Sequence, residues 1–343
     1  MRRMMFLVLM LNVFFLSGES LSELPIDKWP RDKEIDDKVK QIVKRMDWWA
    51  KKTEGLDALG WNIFFCRLGE KLMKIGIKGL PYMLESVRDE HLDWETRVTI
   101  VSNIPYMEGI DTLHRVVISA LGEILLDKRI NESVRAGICS YCLEKLKDTS
   151  ATPYLIQVME DKSNPERVRW CAAHAFVFIP DERAVKPLLK NLDEDPSMEV
   201  KKISISALGA IGRKTGNKAM VPKLMGIVED KGRNPLRYFA ISALGAMKED
   251  RLVPLLTQSI KNKDKRDFDV VIWALGNIGT PECKEVLLQL LKDEDESIRF
   301  NAANALIKTG DKGAISEVER SLERFSSGYR EVIGKALKEA KKE

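Results

Sequence analysis

Apolar and small residues recur along this chain at helical steps, and the stripes come in pairs separated by short polar turns. In VKKISISALGAIG (200–212) the residues Ile203, Ile205, Ala207, Leu208 and Ile211 form such a stripe, which ends at Gly212, where a left-handed turn is easily made. A second stripe follows each first one and starts near a proline: Pro153, Pro187, Pro222 and Pro254 sit close to these starts. A proline costs little there, because first-turn N–H groups have no partner within the helix. Leu188, Leu189 and Leu192, or Leu287, Leu288 and Leu291, supply the inward face of the second helix. Acidic turns such as Asp193-Glu194-Asp195 and Asp293-Glu294-Asp295 lead into the next pair, where negative charge suits a helix N-terminus. No stretch longer than a few residues reads as a strand.

The pairs repeat. Aligned on the alanine before leucine, LRYFAISALGAMK, DVVIWALGNIG and IRFNAANALIKTG join the segment above, placing Ala207, Ala243, Ala274 and Ala305 at spacings of 36, 31 and 31 residues. VRWCAAHAFVFIP puts Ala175 in register 32 residues earlier, and weaker copies put Tyr141 and Asn103 there. About seven units at this period predict an α-solenoid rather than two globular domains. The pattern predicts an amphipathic helix over 33–50, with Ile35, Val39, Ile42, Val43, Met46 and Trp49 on one face. A similar helix near the C-terminus carries Tyr329, Val332, Ile333, Ala336, Leu337 and Ala340. Both fit the atypical terminal units that cover a solenoid's open core.

These units resemble HEAT repeats, and their "VR…AA.AL..IG" style is similar to the short HEAT-like repeats of phycobilin lyases. The resemblance runs over roughly 90–325 and is strongest over 165–310. A basic residue occupies the first-helix Arg position at Arg97, Arg135, Arg169, Lys201, Arg237 and Arg299, and Phe268 replaces it in one unit. The resemblance implies an all-α superhelix whose second helices line a concave surface, and a role in binding proteins. The organisation expected is a signal peptide at 1–20, a Trp-rich helical cap region at 21–90, a repeat solenoid at 91–325, and a capping helix with a charged tail at 326–343.

The first residues read as an address. Arg2 and Arg3 precede a thirteen-residue apolar run, Met4 to Leu16, and the small residues Ser17, Gly18 and Ser20 follow. That is the layout of a secretory signal peptide, and the run is too short to span a bilayer. The expected location is extracytoplasmic, periplasmic or secreted, with no transmembrane segment in the mature chain. Lys+Arg less Asp+Glu is 56 − 52 = +4 over 343 residues, a balance with no cationic footprint for nucleic acid.

Candidate chemistry is sparse. Cys139 and Cys142 form a C-x-x-C, and they fall four and seven residues after Arg135, at core positions of the repeat; Cys171 and His174 of the next unit fall two and five residues after Arg169, on a different face from the core stripe. A buried apolar thiol pair is the expectation, with thiol redox work as the alternative; five cysteines make a poor disulfide framework. None of the three histidines, His91, His114 and His174, is followed by Glu. The paired His-Glu motifs of the HEAT-repeat hydroxylase that modifies a lysine derivative are therefore absent, and that enzyme is not expected. No nucleophile-elbow, Walker, zincin or dinucleotide motif occurs. No catalytic residue, metal ligand or cofactor is assigned from the sequence. Asn131-Glu132-Ser133 matches a glycosylation acceptor, a short motif that also arises by chance.

Four of seven tryptophans, Trp29, Trp48, Trp49 and Trp61, precede the clear repeats, with Phe64 and Phe65 beside them. They read either as the core of the first hairpin or as a docking surface for a protein or a peripheral membrane contact. Tyr82 and Tyr154 follow the second-helix prolines and face either a groove or the neighbouring unit. Trp29, Trp48, Trp49, Tyr82 and Tyr154 are thus the candidate partner-binding residues. The function expected is a non-enzymatic scaffold binding an unidentified protein, or a structural component of an envelope assembly.

Overall fold

A computed structural model of the chain describes Trp29 and residues 31–52, 58–230, 234–262 and 267–340. The expected signal segment lies outside those residues, as do the side chains of Trp61, Phe64, Phe65 and Cys66. Every regular element described is helical, so the all-α solenoid expected from the repeat is the observed architecture. The chain divides into two compact units, Met1–Ile179 and Pro180–Glu343.

The first unit contains α1 (Lys33–Lys52), α2 (Ala58–Ile75), α3 (Leu80–Arg88), α4 (Trp94–Asn103), α5 (His114–Leu126) and α6 (Glu132–Gly137). The chain runs from α6 through a π-helical segment, Ile138–Leu143, into α7 (Glu144–Leu146), then α8 (Thr152–Glu160) and α9 (Glu166–Phe178). Val39, Val43 and Met46 of α1 are buried as its stripe requires, while Ile35 and Ile42 are only half-buried. The second unit contains α10 (Val185–Glu194), α11 (Met198–Thr215), α12 (Val221–Glu229), α13 (Arg237–Ala246), α14 (Val253–Lys261), α15 (Phe268–Ile278), α16 (Pro281–Leu290), α17 (Glu296–Lys308), α18 (Lys312–Arg320) and α19 (Ser327–Ala340). In α19, Ile333 and Leu337 are buried but Val332 is 51% exposed, a narrower face than its apolar content predicts.

Local chemistry sets the helix ends. Pro153, Pro222 and Pro254 occupy the first turns of α8, α12 and α14. The acidic turns feed the caps: Asp295 caps α17 by accepting from the Ser297 N–H at 2.9 Å, and Asp195 accepts at 2.9 Å from the N–H of Ser197, whose hydroxyl caps α11 by accepting from the Val200 N–H at 3.3 Å. Each such bond satisfies a backbone donor that the helix itself leaves unpaired.

The repeated basic residue is a staple between consecutive hairpins. Arg97 Nε donates to the Val87 carbonyl at 2.8 Å, Arg135 Nε to Leu125 O at 2.8 Å, and Arg237 Nε to Val228 O at 3.3 Å. Those carbonyls end α3, α5 and α12, where helical C=O groups lack intrahelical partners and the dipole favours a cation. Arg97, Arg135 and Arg169 are buried, so these side chains hold the fold together rather than form a surface charge ladder.

Small residues set the spacing of the first helices of each pair. An added Cβ would lie 2.8 Å from the Ala243 Cβ at Gly209, 2.8 Å from the Ala274 Cβ at Gly245, and 2.9 Å from the Ala305 Cβ at Gly276. Helices α11, α13, α15 and α17 therefore touch backbone to backbone in one tight row.

One register expectation changes. Tyr141 aligns with the alanines at 175, 207, 243, 274 and 305, yet it is 53% exposed while Ala175, Ala207 and Ala274 are fully buried. The π-helical segment Ile138–Leu143 widens that turn and displaces Tyr141 outward, leaving Cys139, Cys142 and Leu143 to fill the core.

Candidate functional site

The first-helix row of the second unit carries an open groove of about 370 Å³ across α13, α15 and α17. Its aromatic walls are Tyr238, 41% exposed, and Trp273, 39% exposed. Ser242, Asp269, Asn301, Asn304 and Lys308 supply its polar groups, and the small floor residues Gly276 and Ala305 belong to the tight row just described.

These side chains share one register. Counting from the first-helix Arg position, Tyr238 and Asp269 lie one residue on, Ser242, Trp273 and Asn304 five, and Asn277 and Lys308 nine. Successive steps of four keep residues on one helix face, so neighbouring helices present these columns side by side. The sequence reading missed them because it followed only the apolar stripe; the signal was the change to polar and aromatic types at these offsets.

Within the groove, burial first, and then the neighbouring Asp269 carboxylate, raises the Tyr238 pKa above the ordinary tyrosine value. Lys308 Nζ sits 5.6 Å from the Trp273 ring centroid and donates to Asn277 Oδ1 at 3.0 Å. Asn277 Nδ2 in turn donates to the Trp273 carbonyl at 2.7 Å. Trp273 therefore already seats an ammonium on its face. Asn301 and Asn304, both half-buried, line the groove from α17.

In the first unit the same offsets hold Trp170, His174 and Phe178. His174 stacks on Trp170 with centroids 4.7 Å apart, meets Phe178 edge-on at 5.2 Å, and pairs through Nδ1 with Glu144 Oε1 at 2.7 Å. Among the described residues no group of three or more His, Cys, Asp or Glu side chains stands together as a metal site.

The cysteines lie elsewhere. Cys139 and Cys142 are free and fully buried, and burial pushes both thiols well above the ordinary cysteine value. Redox work by this pair, the alternative function read from the sequence, fails for a physical reason: the thiolate is the reactive form, and the apolar core disfavours it. Cys171, assigned to a face away from the core stripe, is buried too.

The candidate partner-binding residues are spread over the first unit. Trp29 is buried at 8% exposure, whereas Trp48 is 51% exposed, meets Trp49 edge-on at 5.3 Å and carries Lys52 over its ring at 4.5 Å. Tyr82 lies under the Arg31 guanidinium at 6.0 Å. The Tyr154 ring packs against Gly122, where an added Cβ would come within 2.5 Å of it, and its hydroxyl meets Ser119 Oγ at 3.1 Å.

Paired helices in backbone contact, stapled by a recurrent arginine and bearing site residues at fixed offsets, define a helical-repeat protein. The family model described as HEAT repeats matches residues 118–209, 186–268 and 269–338, and the chain belongs to that family. Deoxyhypusine hydroxylase of Candida albicans is 26% identical over 197 residues, 49% of this chain and 62% of that protein. The chain thus matches less than two thirds of that relative's length. Deoxyhypusine hydroxylase of Drosophila melanogaster is 26% identical over 221 residues, 57% of this chain and 70% of that protein. The solved structure of the Escherichia coli protein YibA shares the fold with a TM-score of 0.52 at 19% identity, covering 82% of this chain and 98% of that one.

These relatives correct the functional expectation. A non-enzymatic scaffold was read from the absence of a contiguous catalytic motif, but the curated relatives that match are enzymes built on the same repeats. In a solenoid, site residues are distributed one or two per unit, so the lack of a local motif carries little weight. The expected binding surface also shifts: second helices were to line it, whereas the observed groove lies on the first-helix row.

Proposed function

We propose that this chain is an enzyme that takes a protonated alkylamine in the groove across α13, α15 and α17. The relatives are named for deoxyhypusine, an amine-bearing lysine derivative, and the groove offers what such a group needs. One observation carries the reading: a carboxylate, Asp269, stands beside the half-exposed rings of Tyr238 and Trp273. A carboxylate pairs with an ammonium through charge-assisted hydrogen bonds, and aromatic faces attract the same cation. Lys308, held over Trp273 by Asn277, is an internal example of that contact.

Substrate recognition is the half of the relatives' activity that this groove supports. Hydroxylation of a C–H bond calls for an oxygen-activating group such as iron held by two His and a carboxylate. The described residues do not fit one, because no three potential ligands stand together among them.

Calorimetric titration with n-butylamine tests the proposal. Asp269→Asn is expected to weaken binding about tenfold, and Trp273→Ala by a smaller factor. Unchanged affinity in Asp269→Asn would overturn it. Mass spectrometry of a deoxyhypusine-bearing protein after incubation with the chain reports whether an oxygen atom is added.

A further inference from the structure

We infer that the outward face of α1 is a docking surface for a bilayer rich in anionic lipid, with Trp48 seated among the headgroups. This surface belongs to the first unit and does not depend on the amine site. Val39, Val43 and Met46 are buried at 0%, 2% and 0% exposure, which fixes the side of α1 that faces solvent. With about 3.6 residues per turn, the side away from that stripe gathers Lys40, Lys44, Arg45, Lys51 and Lys52 around Trp48, all of them exposed. Asp37, exposed one turn before Lys40, bounds the face.

Ion pairing sets these cations apart. Lys38 of the same helix pairs with Glu34 at 3.0 Å, and Lys51 with Asp47 at 2.7 Å. Lys40, Lys44 and Arg45 make no ion pair among the described residues. Acids at the edge of the face are engaged: Asp47 also accepts from the Asp93 N–H at 2.6 Å, and Asp93 from the Glu95 N–H at 2.8 Å. The helix dipole accounts for Lys51 and Lys52 in the last turn, but not for the three cations before them. Trp48, 51% exposed in their midst, meets Trp49 edge-on and carries Lys52 over its ring at 4.5 Å. An indole, apolar in body and polar at its N–H, suits the boundary of headgroup and acyl chain, and the cations are drawn to the lipid phosphates around it. A single-stranded nucleic acid would instead need open ring faces to stack on, and Lys52 covers one of them. Four of the five cations are lysines, compact point charges that suit a broad anionic surface better than bidentate readout.

Vesicle co-sedimentation of the full chain tests the inference, with pure phosphatidylcholine set against a roughly three-to-one mixture of phosphatidylcholine and phosphatidylglycerol. The run Met4 to Leu16 offers either bilayer the same apolar contact, so the readout is the ratio of the two affinities. Wild type is expected to favour the anionic vesicles at least about tenfold, with the preference lost in high salt. Lys44→Glu with Arg45→Glu should cut that ratio about tenfold. Lys335→Glu with Lys338→Glu on α19 is an equal change in net charge and should leave the ratio within about twofold. Brominated lipid in the anionic vesicles should quench the fluorescence of wild type more than that of Trp48→Phe. No anionic preference in wild type, an equal loss in both charge variants, or equal quenching with and without Trp48 would overturn the inference. So would binding of a single-stranded oligonucleotide that anionic vesicles do not displace. Lys44 and Arg45 are exposed, so thermal unfolding of their double variant should match wild type.

Discussion

Asp127 and Asp161 sit at the ends of second helices and are held ionised by neighbours. The Arg129 side chain, with its backbone N–H, lowers Asp127 to about 2; Lys128, with Ser163, lowers Asp161 to about 2. In the unfolded chain an aspartate titrates near ~4, so each folded-state value is depressed. The stabilisation is therefore fully present above roughly pH 4–5 and is lost as pH falls through about 2. Both carboxylates are partly exposed, which limits each contribution to about 1 kcal/mol or less. The variant Asp127→Asn, Asp161→Asn should unfold at lower urea than wild type at pH 6, with the two curves converging by about pH 2. A gap that persists at pH 2 would mean that the carboxylate charge is not its source.

At this scale the sequence was legible wherever one stripe decides burial, and misread where two faces are buried. Cys171 shows the reason. A solenoid helix packs both on its hairpin partner and on the next repeat, so a residue off the main stripe can still lie in the core. Tyr141 shows the other limit, since a π-helical turn changes the register that any count from Arg135 assumes.

Among elements, glycine separates two roles that look alike in the sequence. Gly245 lies where a Cβ would stand 2.8 Å from the Ala274 Cβ and 2.9 Å from its Cα, so a methyl group must push α13 off α15. Gly226 of α12 has nothing within 4 Å of the equivalent point. Gly245→Ala should therefore cost about 1–3 kcal/mol through overpacking, against a helix-propensity gain of about 1 kcal/mol. Gly226→Ala keeps only the gain and should stabilise by about 0.5–1 kcal/mol. Chemical denaturation of the two variants checks the contrast; stabilisation of both by a similar amount would remove the tight row as the source of spacing. The hairpins themselves were readable, because prolines at second-helix starts and acidic caps are local signals. Which helix of each pair forms the groove was not, because that depends on contact between residues about thirty positions apart.

For the whole molecule, near-balanced charge and repeat architecture make stability a sum of local terms joined by nearest-neighbour contacts. The strain introduced by Gly245→Ala should therefore speed amide hydrogen exchange through α11 to α17 more than in the unit Met1–Ile179. A uniform increase over both units would indicate one cooperative body instead. The groove belongs to this scale as well, since its lining residues come from three successive repeats.

Residue order alone was enough for the helices, their pairing, the period and the buried thiols, because propensity, capping and apolar spacing act within one or two turns. Packing decided the rest: that Tyr238, Asp269, Trp273, Asn301 and Asn304 share one groove, and that its row is the tight one. The physical cause is small residues, glycine against alanine, which let backbones touch and so bring together columns that lie a full repeat apart along the chain.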